Sequence, residues 1–362
     1  MIESVLTFLE PAVLPALIFL VINLLLVTAS LLVYAERVVS AFIQERSGPN
    51  RVGPRGLLQP FADVFKLLFK EDIVPSAGNG FIHSFAPVLM VVIAMSTVAV
   101  IPFAGTAEAG PVIIADVSVG LLLVLAMTSI SVYGITLAGW ASNSKYSLLG
   151  GLRSSAQMIS YELAMGAAAL SVVLYAGSLS MFDIVESQNE GWSFLGWNIF
   201  RNPVGFVLFA VCALAETNRA PFDLPEAEQE LVGGYHTEYS GMKFGMFFLA
   251  EYVNLWIASM VTATLFLGGY LLPFQDVFFV GVLGMGGIVL IGAQMIALVA
   301  KTAFFAFCFI WIRWTLPRFK YNQLMNLGWK YLLPISIANI FVIALIVMGL
   351  YFGFGREIPG LM

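Results

Sequence analysis

ETNRAPFDLPEAEQELVGGYHTEYSGMKFGMFFLAE, residues 216–251, holds seven of the chain's 22 carboxylates: Glu216, Asp223, Glu226, Glu228, Glu230, Glu238 and Glu251. Long apolar runs flank it on both sides, so much of this acid sits at or beside a membrane. An unpaired charge in lipid is expensive, and a chain that concentrates carboxylates there is normally handling protons or ions. The remaining sequence reads as the frame that holds these acids.

The composition agrees. Of 362 residues, 60% are hydrophobic and 11% charged, against about 25% charged in a soluble domain. Apolar runs long enough to cross ~30 Å of hydrocarbon recur along the chain, leaving no room for a separate soluble domain, so a single membrane domain over 1–362 is expected. The early charges are Glu3 and Glu10, not the basic region of a cleaved signal peptide. Cys212 and Cys308 lie far apart in apolar runs, and His83 and His236 are the only histidines. No CxxC motif or metal-ligand spacing is present, and no GxGxxG follows a strand pattern. The chain is therefore expected to carry no redox centre, metal or nucleotide site of its own.

Spans are expected near 12–34, 85–103, 117–139, 156–176, 203–216, 244–268, 288–312 and 331–352. With these boundaries, 14 of the 17 basic residues fall in loops on one face, among them Arg37, Arg46, Arg51, Arg55, Lys66, Lys70, Arg219 and Arg313. By the positive-inside rule this face is cytoplasmic, giving eight spans with both termini on the outer side. The expected fold is an all-α polytopic membrane protein. In the first inside loop, RSGPNRVGPRG (46–56) reads as a series of turns. LLQPFADVFKLLFKED follows, with Leu57, Phe61, Val64, Phe65 and Leu68 on one helical face. A helix over 57–70 is too short to span and belongs in the interface plane.

Charges also fall inside the spans. Glu36 and Arg37 end the first span and read as a snorkelling interfacial pair. Glu162 lies in the fourth span and Lys301 near the middle of the seventh, where a pairing between them is expected, direct or through water, with Glu251 the other candidate partner for Lys301. In the acidic loop, Asp223-Leu224-Pro225-Glu226 has the form of a helix start, placing Glu226 and Glu230 on one face and turning Glu228 away. Like charges this close titrate as a set.

The strings Glu36-Arg37, GPNRVGPRGLLQPFADVFKLLFKED (48–72), GWASNSKYSLLGGLRSSAQMISYE (139–162), AETNRAPFDLPEAEQELVGGYHTEY (215–239) and FIWIRWTLPRFKYNQLM (309–325) resemble the H-subunit family of respiratory complex I, subunit 1 in mitochondria. The similarity extends over all eight spans in order. It implies a membrane-arm subunit of a proton-translocating NADH:quinone oxidoreductase in a bacterial inner membrane. Arg37, Asp63, Lys66 and Phe222 become candidates for the quinone path. Glu36, Glu162, Glu216, Asp223, Glu226, Glu228, Glu230, Glu238, Glu251 and Lys301 become candidates for coupling quinone chemistry to proton movement. Quinone is then the substrate, and the iron–sulfur clusters and flavin belong to peripheral-arm partners. In one departure, some relatives carry an acid in span three where this chain has Ser129. The alternatives are the equivalent subunit of a hydrogenase- or ferredoxin-linked complex, an ion-coupled transporter, for which no internal repeat is found, and a stand-alone membrane enzyme, for which no catalytic motif is found.

Overall fold

The computed structural model describes residues 2–106, 110–189, 193–224, 232–275, 279 and 287–354. In chain order the helices are α1 (Ile2–Ile43), α2 (Gln59–Phe69), α3 (Gly80–Thr97), α4 (Gly120–Ala141), α5 (Lys145–Ala176), α6 (Met181–Glu186), α7 (Asn198–Arg201), α8 (Pro203–Glu216), α9 (Gly241–Phe266), α10 (Gly287–Thr315), α11 (Tyr321–Asn326) and α12 (Leu333–Phe354). A short antiparallel hairpin, β1 (Ala104–Thr106) and β2 (Gly110–Val112), pairs Gly105 with Pro111. Among the described residues, seven helices are long and apolar enough to cross a bilayer, and α8 is a shorter apolar one. They follow the order of the expected segments, and the chain is an all-α polytopic membrane protein.

Local chemistry sets several of the helix ends. The Asn79 side chain accepts from the amides of Phe81 and Ile82 and starts α3; Asn202 accepts from Gly205 ahead of Pro203 and starts α8. Each satisfies amides that the first helical turn leaves unpaired. Gly177, at φ +69°, ends α5.

Packing sets the rest. α1 runs on to Ile43, nine residues past its expected end, so Glu36 and Arg37 lie within the helix. α5 begins at Lys145, which puts Glu162 near the middle of a 32-residue helix. α12 is preceded by a π-helical turn, Leu327–Leu332.

The central helices pack in a chain of neighbours: α3 on α4, α4 on α5, α5 on both α8 and α12, and α9 on α3 and α10. Small residues let them approach closely. A Cβ on Gly150 of α5 would lie 2.8 Å from the amide nitrogen of Tyr235, so glycine is required for the 234–236 turn to sit on α5. Outward-facing Phe19, Leu24, Phe341 and Leu345 are exposed apolar side chains of the kind a bilayer covers. α2 packs between α1 and α9 and leaves Phe61, Val64, Phe65 and Leu68 exposed. That apolar face suits the membrane interface.

Candidate functional site

A cavity of about 340 Å³ opens between α1, α2 and α9. Ala29, Val33, Val64, Phe244, Phe248 and Leu249 make it largely apolar, while Arg37, Asp63, Lys66 and Tyr252 supply its polar points. The Arg37 guanidinium lies 2.6 Å from the Asp63 carboxylate, and Gln59 donates to the other Asp63 oxygen at 3.2 Å. Arg37, Asp63 and Lys66 are therefore brought to one cavity. Phe222 is elsewhere: it is buried against Tyr161 and Phe319, and its carbonyl accepts from Gln157 Nε2 at 2.8 Å.

Behind the Tyr252 wall lies a buried cluster of four charges. Arg219 donates through Nη1 to Glu36 at 2.8 Å and through Nε to Glu251 at 2.6 Å. Arg313 donates to the other Glu36 oxygen at 2.7 Å and lies 3.7 Å from Glu251. The Arg219 guanidinium stacks over Tyr252 at 4.2 Å. Two acids and two guanidiniums balance formally, as burial demands. Burial by itself disfavours the Arg219 charge, but Glu251 and Glu36 outweigh it and hold the guanidinium protonated.

This cluster corrects two expectations. Glu36 and Arg37, adjacent in sequence, point to different partners because successive helical residues are about 100° apart. Arg219 and Arg313, counted above as loop charges, are instead drawn into the protein by buried acids. Gln157, which also bonds the Ala215 carbonyl at 2.8 Å, was likewise missed, as was Tyr252. Glu36 and Glu251, two acids inside helices, were the available signal that two cations must come from elsewhere.

Glu251 next borders a cavity of about 20 Å³ that also touches Glu216, Asn218, Tyr235 and Asn254. Glu216 in turn borders a second cavity, of about 40 Å³, with Thr97, Thr128, Ser131, Thr217 and Asn254. Beyond it stands Glu162, whose carboxylate accepts a hydrogen bond from Ser129 Oγ. Glu251 and Glu216 thus share one small cavity and Glu216 borders a second, while Glu162 lines neither.

Lys301 stands apart from these acids, and among the described residues it pairs with neither Glu162 nor Glu251. Its ammonium donates to the carbonyls of Leu267, Gly269 and Leu271 at 2.7, 2.9 and 2.6 Å and lies 4.2 Å over the Trp197 ring. It caps the carbonyl end of α9, where a helix presents negative partial charge. Asp223 and Glu238 border none of the three cavities. Glu226, Glu228 and Glu230, with the helix start expected there, lie outside the described residues. His236 packs edge-on to Tyr235, Phe244 and Phe248, and burial pushes its pKa down to about 4.

A profile of the NADH dehydrogenase family matches residues 16–344. The NADH-quinone oxidoreductase subunit 8 of Rhodothermus marinus is 69% identical over 328 residues, which is 90% of this chain and 95% of that protein. The H subunit of the NADH-quinone oxidoreductase of Salinibacter ruber is 64% identical over 90% of this chain and 94% of its own length. An H subunit from Cytophaga hutchinsonii is 47% identical over 89% of this chain and 93% of its own. With this similarity over nearly its whole length, the chain belongs to the NADH dehydrogenase family, alongside these membrane subunits of NADH-quinone oxidoreductases.

Proposed function

We propose that this chain is the multi-pass inner-membrane subunit of a proton-translocating NADH:quinone oxidoreductase in which the quinone path meets the proton path. The cavity between α1, α2 and α9 serves as the membrane part of the quinone path. Its volume lies at the lower end of the range for small-molecule sites, and apolar walls with a few convergent polar groups are their usual form. Arg37 and Lys66 supply donors suited to a quinone carbonyl, and Asp63 holds Arg37 in place.

Reducing a quinone to a quinol takes up two electrons and two protons. The electrons arrive from NADH through the flavin and iron–sulfur clusters of peripheral partner subunits; the response of this chain is electrostatic. Unit charges 4 Å apart interact by about 4 kcal/mol at an effective dielectric near 20. A charge change at the cavity therefore reaches Glu36 and Glu251 through the Tyr252 wall. From there the row Glu251, Glu216, Glu162 passes protons by hops along small wet cavities. The observation that carries this reading is the shared lining. Tyr252 borders the quinone cavity and stacks on Arg219, while Glu216 borders both inner cavities. The relatives' names favour a quinone-linked complex over a hydrogenase-linked one.

The test is Glu162→Gln and Glu216→Gln in the assembled complex, each keeping the side chain's shape while removing its titration. Quinone reduction and proton translocation both fall. Full activity in either variant removes that acid from the row. Asp63→Asn raises the quinone concentration needed for half-maximal rate; unchanged quinone kinetics would take Asp63 off the path.

A further inference from the structure

Glu162 on α5 and Glu216 at the end of α8 interact electrostatically, and α4 presents three hydroxyls around them. Ser129 Oγ donates to Glu162. Thr128 lines the 40 Å³ cavity together with Glu216. Both hydroxyls also reach one acceptor, the Leu125 carbonyl, Thr128 at 2.8 Å and Ser129 at 3.0 Å. Ser131 Oγ, donating to the Thr128 carbonyl at 2.7 Å, adds an acceptor oxygen to the same cavity.

A hydroxyl has one proton and two acceptor lone pairs. While it donates to Leu125, it can accept a hydrogen bond from a neutral carboxyl or a water. Rotated away from Leu125, it donates to a carboxylate. Each of the two hydroxyls therefore has two settings, and the protonation state of its own glutamate selects between them. The cavity has room for water, since about 10–15 Å³ of probe-occupied space holds one molecule, and its rim supplies Thr97, Ser131 and Asn254 as partners.

We propose that Thr128 and Ser129 form a rotating hydroxyl bridge that, with water in the cavity, carries a proton between Glu216 and Glu162. One proton enters from one carboxyl, the hydroxyl passes its own proton onward, and rotation resets it, so no bond other than O–H forms or breaks. The bridge rests on the carboxylate row proposed above.

The test uses the assembled complex in proteoliposomes, comparing Thr128→Val, Ser129→Ala, their combination and the conservative pair Thr128→Ser and Ser129→Thr. Removing either hydroxyl lowers proton translocation by roughly a hundredfold, the lower end of the loss for a positioned proton-transfer group. It also enlarges the solvent deuterium isotope effect and shifts the Glu162 carboxyl stretch in infrared difference spectra. The conservative variants restore all three readouts. Wild-type translocation and an unmoved infrared band in Thr128→Val and Ser129→Ala, alongside collapse in Glu162→Gln, would overturn the bridge and leave the row standing. Full coupling in the glutamine variants as well would overturn the row itself. If the double variant fails to assemble, the single variants and their infrared bands decide.

Discussion

Replacing Arg219 by Met takes from Glu36 and Glu251 the cation they share and leaves two buried carboxylates facing Arg313 alone. Breaking a buried ion pair from one side costs about 3–5 kcal/mol. The expected outcome is a sharp fall in assembled complex and in its thermal midpoint, read by native gel and melting; normal assembly would show that water reaches the cluster. Lys301→Met removes three charge-assisted hydrogen bonds, each worth about 1.5–3 kcal/mol at a charged group. Less complex assembles, but what assembles keeps its ratio of protons to electrons. A normal yield with lost pumping would return Lys301 to the proton path. His236 gives a pH signature outside the spans. Its ordinary pKa of 6.5 drops to about 4 on burial, so between these values the unfolded loop binds more protons than the folded one. The loop's stability is whole above about pH 6.5 and falls as pH drops toward about 4, by less than roughly 3 kcal/mol because the ring is only partly buried. Hydrogen exchange over residues 232–240 in His236→Phe loses this slope; an unchanged slope would assign it to another group.

At the scale of the element, Gly150 and α2 matter most. Alanine at 150 places a methyl against the Tyr235 backbone, an overpacking cost of about 1–3 kcal/mol. The result is a lower melting temperature and slower coupled turnover, because the 234–236 turn carries Tyr235 at the rim of the Glu216 cavity. α2 was legible from its pattern: Phe61, Val64, Phe65 and Leu68 recur at helical spacing, and its chemistry is local. The course of α1 was not. Hydropathy fades at Tyr34, yet the helix continues because Glu36 finds Arg219 and Arg313 across the bundle, partners 183 and 277 residues away. The fourth span was likewise placed short, since the polar stretch Lys145–Ser155 reads as a loop until the helices around it bury Ser147 and Ser154.

At the scale of the whole molecule, we propose from the distribution of Lys and Arg that both termini lie on the outer side. A C-terminal alkaline phosphatase fusion is then active and a C-terminal green fluorescent protein fusion dark; the reverse pattern would invert the topology. The seven long apolar helices and the shorter α8 follow from hydropathy, because every backbone group in lipid must be paired within its own helix.

Sequence alone determined that this is a polytopic membrane protein rich in acid near its centre, since length and hydropathy set spans without reference to neighbours. It also placed Arg37, Asp63 and Lys66 within one first inside loop and its flanking helix end. Only the tertiary structure decided which acids meet cations, which border small cavities and which do both. Glu36 and Glu251 neutralise Arg219 and Arg313, Glu251 and Glu216 border a small cavity, Glu162 meets the Ser129 hydroxyl, and Lys301 meets carbonyls. A buried charge takes whichever partner the packing of distant helices delivers, and that is a property of three-dimensional neighbours, not of spacing along the chain.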